Sequence, residues 1–139
     1  MPVLRLPQLA LAYVTTLAAF LAVDAMWLGV VMKQRYAAWL GPLMLEQPKL
    51  LAAGLFYLLY VAGLLVFAVL PALRERNWRA AAWRAALLGL VSYGTYDLTN
   101  HATLKGWPLA LTLTDLVWGA VLSCLAAMAG YAAASRLKA

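Results

Sequence analysis

The chain reads as all-α, an integral membrane bundle of four transmembrane helices with both termini cytoplasmic. Three observations predict this. It is 66% hydrophobic and 12% charged over 139 residues, with a mean hydropathy of +0.82, far outside the range of soluble domains. Four apolar runs are each long enough to cross about 30 Å of hydrocarbon. The basic residues sit at the ends of those runs, where they meet lipid phosphate.

The runs are expected at 9–32, 51–73, 82–103 and 108–134 and form a single domain, 1–139. Arg5 ahead of an apolar run imitates a signal peptide, but the run continues past Asp24 to Met32 without a small-residue cleavage site. It is expected to be a retained first helix. The third run is the most polar, carrying Arg84, Ser92, Asp97, Asn100 and His101, and must depend on its neighbours to insert. The segment 33–50 is too long for a tight turn. Within it Tyr36, Trp39, Leu40, Leu43 and Met44 suit a short interfacial helix in the first outer loop, partly covering what lies beneath.

Seven basic residues (Arg5, Arg74, Arg76, Arg79, Arg84, Arg136 and Lys138) fall on the side of the termini, against Lys33, Arg35, Lys49 and Lys105 opposite. That bias puts both termini in the cytoplasm. The formal charge of +6 does not imply nucleic acid, because no basic stripe interleaved with aromatics lies on a soluble surface. Membrane lipids are the expected partners. The Arg74–Arg84 loop, with Trp78 and Trp83, is expected to anchor to anionic lipid. A second copy of the chain or a lipid-modifying enzyme is a candidate protein partner. Cys124 is the single cysteine, mid-helix, which excludes an internal disulfide or a cysteine metal set and favours a packing role.

Three of the five acidic residues, Asp24, Asp97 and Asp115, lie within the apolar runs. A carboxylate mid-bilayer costs about 2.5–3.5 kcal/mol on insertion scales, and such residues face bundle interiors and mark functional paths. Asp24-Ala-Met-Trp27-Leu-Gly29 and Asp115-Leu-Val-Trp118-Gly119 repeat one frame, and Asp97 sits in Tyr93-Gly-Thr-Tyr-Asp97-Leu-Thr-Asn100-His101. At 1.5 Å per residue, all three acids fall about 9–12 Å beneath the outer edge, with Tyr57 and Tyr60 of the second run near the same layer. They form a candidate proton-exchanging cluster, expected to hold fewer than three charges because like charges repel in a low dielectric. Trp27, Tyr57, Tyr60, Tyr93, Tyr96, Asn100, Trp107 and Trp118 would line a ligand pocket, with Lys105 countering charge at its mouth. Gly119, Ser123 and Ala127 form a small-residue row that lets another helix approach closely.

The strings DAMWLG, FYLLY, YGTYDLTNHATLKGW and DLVWG, in this order, resemble the small bacterial membrane proteins catalogued as domain of unknown function 2177. The resemblance covers nearly the whole chain. It implies four membrane helices and inner-membrane residence, and a neighbourhood of lipid-modification genes that favours a lipid-related role. It carries over Asp24, Trp27, Tyr57, Tyr60, Tyr96, Asp97, Asn100, Lys105, Trp107, Asp115 and Trp118.

Four readings of the polar layer follow. A purely structural or interaction subunit would use the acids only to hydrogen-bond helices. A lipid or lipophile site would bind its ligand against them, with or without chemistry. A small proton-coupled transporter of lipophilic cations would cycle their protons, although the acids lie off the midplane and the charge bias argues against dual topology. A metal site would need His101 beside the aspartates. No HxxxH, phosphate loop or Ser-His-Asp order names a reaction, no cofactor is implied, and whether the protein is an enzyme stays open. The lipid site is the preferred reading.

Overall fold

The computed structural model describes residues 3–137. Helix α1, Leu6–Met26, starts on Pro7, tolerated in a first turn because its missing N–H would be unpaired there anyway. A π turn, Trp27–Val31, continues it. Buried Met32 then pivots the chain into α2, Lys33–Leu40, which stops at Gly41 with φ +48°. This is the short helix expected after the first run.

Helix α3, Leu50–Leu64, passes through a second π turn, Leu65–Val69, into α4, Leu70–Glu75. The π turn sits where Pro71 cannot donate to the preceding turn, so a widened turn absorbs the missing hydrogen bond. Arg76 in the left-handed region (φ 53°) ends α4, and the Asn77 side chain accepts from the Arg79 N–H at 3.1 Å to start α5, Trp78–Thr103. The hairpin is therefore tighter than expected. The third helix begins at 78 rather than 82, and most of the Arg74–Arg84 segment is helical rather than loop. Arg84 pairs with Glu75 at 2.9 Å, and Arg79 and Arg84 lie over the rings of Trp78 and Trp83. Helix α6, Leu109–Ser135, follows Pro108.

Successive rods α1, α3–α4, α5 and α6 run antiparallel, which brings the start of α1 and the end of α6 to one end of the bundle. There the Gln8 amide donates to the Leu137 carbonyl at 3.2 Å. Among the described residues, three stretches are long and apolar enough to cross a membrane: Leu6–Val31, Leu50–Glu75 and Leu109–Ser135. Helix α5 falls short on composition, as its polar residues foreshadow, yet it shares the most extensive interface of the fold with α6.

Small residues make that interface. Ala81, Ala85 and Gly89 on α5, spaced four apart, are buried against α6, where Gly119, Ser123 and Ala127 are buried in turn. A methyl group added at Gly89 would overlap the Gly119 carbonyl oxygen and come within 2.6 Å of Ser123 Oγ. Because the obstacle is backbone, it cannot rotate away. Gly89→Ala should therefore lower stability by about 1–3 kcal/mol, read as a fall in melting temperature in detergent; an unchanged melt would show that the helices are not this close. Phe20, Val61, Leu64, Ala68, Val69 and Leu122 fill the core from mid-bundle towards the end where Gln8 meets Leu137. Towards the far end α3 loosens, leaving Leu51, Leu55 and Leu59 exposed.

Candidate functional site

At the far end, five elements bring their polar residues to one place. Asp24 comes from the last turn of α1, just before the π turn. Asp97 comes from α5 and Asp115 from the second turn of α6. Tyr57 reaches in from α3, and Tyr36 from α2 above. All three aspartates are buried, Asp97 completely.

The two repeated frames are wired to each other rather than each to itself. Trp118 Nε1 donates to Asp24 Oδ1 at 3.2 Å, so the tryptophan of the second frame serves the aspartate of the first. Trp27 Nε1 donates to the Tyr36 hydroxyl at 3.1 Å, and that hydroxyl donates to Asp115 Oδ1 at 2.5 Å. The first frame's tryptophan thus serves the second frame's aspartate through one intermediary. Between them the indoles stack, 4.0 Å apart and 6° from parallel. Asp24 is completed by Tyr57, whose hydroxyl donates to Oδ2 at 2.6 Å. Burial, and then its bond to Asp115, holds the Tyr36 phenol above the usual tyrosine range, so it stays a donor.

Asp97 is different. Among the described residues neither of its buried carboxylate oxygens meets a donor. Its polar neighbour is the carboxyl of Asp115. The adjoining backbone is held instead: Trp107 Nε1 donates to Thr112 Oγ1 at 3.1 Å, and that hydroxyl reaches the Asp97 carbonyl at 3.4 Å. Tyr93 packs its ring on Gly119, where any β-carbon would collide with it.

A cleft of about 490 Å³ opens among these groups, lined by Asp24, Asp115, Tyr57, Tyr93, Tyr96 and Trp118 and, at its rim, by Trp107. Helix α2 covers it with Tyr36 and Leu40, and Met44 follows from the same loop. Of the expected lining residues, Tyr60 lies deeper, sharing a 2.7 Å hydrogen bond with Ser123, and Trp27 backs the wall through its stack on Trp118. Asn100 is half-buried and does not line the cleft. Lys105 is exposed and also stands outside it; the cation in the lining is Lys33, at the start of α2. The fold explains that exchange, because α2 folds back over the cleft while Lys105 lies in the α5–α6 turn beyond it. His101 is exposed, with Nδ1 3.1 Å from the Trp107 carbonyl, and among the described residues no three His, Cys, Asp or Glu side chains converge as a metal set.

Tyr36 was expected only as part of the covering helix, and its direct bond to Asp115 is the largest addition to the site. Phe56, Thr112 and Lys33 are further additions. Tyr36 lies 79 residues from Asp115, and nothing in local spacing joins them. No curated protein and no solved structure matches the chain. Residues 9–132 match the family model described as predicted membrane protein DUF2177, and with three helices long and apolar enough to cross a bilayer the chain belongs to that family and is a multi-pass membrane protein.

Proposed function

We propose that this is an inner-membrane protein whose far-end cleft, facing the outer leaflet, binds a lipid or lipophilic small molecule, with Asp97 and Asp115 as its proton-exchanging pair. One observation carries the reading: behind Asp115, which lines the aromatic-walled cleft, lies the carboxyl of Asp97, fully buried and, among the described residues, without a donor. A carboxyl kept only for structure would be bonded as Asp24 is, because an unpartnered buried polar group costs about 1–3 kcal/mol. Two adjoining carboxyl groups can share one proton, with Asp115 facing the ligand and Asp97 behind it, which serves either binding or general acid–base chemistry. Tyr57, Tyr93 and Tyr96 would orient the ligand, and Lys33 takes the role first expected of Lys105.

In this reading α5 is the fourth membrane-crossing helix. Its 26 residues span about 39 Å at 1.5 Å per residue; Asp97 is buried inside the bundle and Ser92, Tyr93 and Tyr96 border its cavities, while the Thr95 and Thr99 hydroxyls bond back to carbonyls of the same helix. The distribution of Arg and Lys puts both termini in the cytoplasm. A cysteine introduced at Gln34 or Gln47 should react with an impermeant thiol reagent on intact cells, and one at Asn77 should not. The opposite pattern would place the cleft in the cytoplasmic leaflet.

The binding claim is tested by mass spectrometry of lipids retained through purification. Wild type should carry a defined species that is depleted at least tenfold from Asp97→Ala. Identical lipid profiles would favour the alternative in which the acids serve only as helix connectors.

A further inference from the structure

We propose that the ligand of this cleft is a lipid with a hydroxyl-bearing, phosphate-free head, and that it enters sideways between α3 and α5, laying its chain in the groove between them. This rests on the cleft being a lipid site, as proposed above, and assigns the chemistry of that lipid and its route.

The route comes from how α3 is held. It meets α5 mainly through the π turn Leu65–Val69, and its far half stands away from α5. The gap is a groove of about 360 Å³ lined by Tyr60, Gly63, Val66, Phe67, Leu88 and Ser92. A second space of about 330 Å³ lies between them, sharing Ser92 with the groove and Tyr93, Tyr96 and Asp115 with the polar cleft. Phe56 borders all three spaces. It is 45% exposed and stacks on Tyr60 at 5.5 Å. From Phe56 to Phe67 the groove follows about 16 Å of helix, matching a medium-length acyl chain. The polar contribution to this wall is small, chiefly Ser92 and the Tyr60 hydroxyl, and the latter is already bonded to Ser123. In a bilayer, the molecule that fills an apolar slot leading to a polar chamber is a lipid with its chain in the slot and its head in the chamber.

The head follows from charge. The chamber presents Asp24 and Asp115, with Asp97 behind, against a single lining cation, Lys33. Phosphate recognition relies on Arg or Lys donors, and carboxylates at this distance repel it. A long-chain amine would be drawn by the carboxyls, but both oxygens of Asp24 and one of Asp115 already accept from Trp118, Tyr57 and Tyr36, and Lys33 in the lining repels it. A hydroxyl can donate to a carboxylate and accept from a tyrosine, which is what the chamber offers.

The experiment uses the full chain in detergent-free lipid discs and a clickable fatty alcohol carrying a diazirine in its chain. Illumination should label the wild type within peptides spanning residues 56–67 and 88–92. Monoacylglycerol should compete, and lysophosphatidic acid and a long-chain amine should not. A β-carbon added at Gly63 meets nothing within 4 Å and Gly63 lines the groove, so Gly63→Phe directs a ring into that space and should cut labelling at least tenfold. If its melt shows misfolding, Phe67→Trp at the open end of the groove carries the same expectation. Equal labelling of a folded groove variant, or labelling elsewhere on the surface, would overturn the route. Competition by the phosphate lipid or the amine would overturn the head assignment. In both cases, labelling that is still lost in Asp97→Ala would leave the cleft reading standing, whereas labelling indifferent to Asp97→Ala would overturn that reading as well.

Discussion

Asp24→Ala should be the most destabilising single substitution at the far end, lowering unfolding free energy by about 2–6 kcal/mol. The estimate follows from two donors losing their common acceptor. Tyr57 and Trp118 both bond to Asp24, at 2.6 and 3.2 Å, and each of these part-buried donors left unpaired costs at most about 1–3 kcal/mol. The loss also frees α3 from α1 and removes one support of the indole stack. Asp24→Asn should lie between, because its amide keeps an acceptor for one donor and presents a donor to the other. Thermal unfolding in detergent, read by circular dichroism, checks the order wild type, Asn, Ala. A wild-type-like melt for Asp24→Ala would mean that these bonds are not formed.

Asp97 should behave in the opposite way. Asp97→Leu or Asp97→Asn removes a buried carboxyl that lacks a donor and relieves Asp115 of a like neighbour. Replacing buried charge by an apolar group of similar volume is neutral or stabilising by about 1–4 kcal/mol. Both variants should melt at or above the wild-type temperature while losing the retained ligand. That pairing of higher stability with lost binding is the mark of a group kept for function. If Asp97→Asn melts well below the wild type, the carboxyl is a structural connector and the proposed function loses its main support.

Much of this was legible in the sequence because hydrophobic runs and buried charges obey strong rules. The three aspartates, the small-residue row on α6 and the short helix after the first run could each be read from type and period. What could not be read is pairing across helices. The frames Asp24–Trp27 and Asp115–Trp118 have helical spacing, which suggests partners on one helix. Side chains at that spacing on the ends of α1 and α6 instead point across the gap between helices, where an indole meets the neighbouring carboxylate first. Lys105 was mistaken for the cleft's cation because sequence distance cannot show a loop folding back, and Lys33 does so only once Met32 is buried beneath it. The π turns were invisible for a different reason. They answer local conflicts, the missing N–H of Pro71 in one case, that hydropathy does not record.

The stack of Trp27 on Trp118 has an optical consequence. Two indoles 4.0 Å apart and nearly parallel couple electronically, so their fluorescence and near-ultraviolet dichroism differ from those of separated tryptophans. Each ring belongs to a helix that also delivers a cleft aspartate, and Trp27 is tied through Tyr36 to the covering helix. Any ligand that lifts α2 or spreads α1 from α6 must therefore change this coupling. The protein carries its own spectroscopic gauge of whether the cleft is shut, readable without a label.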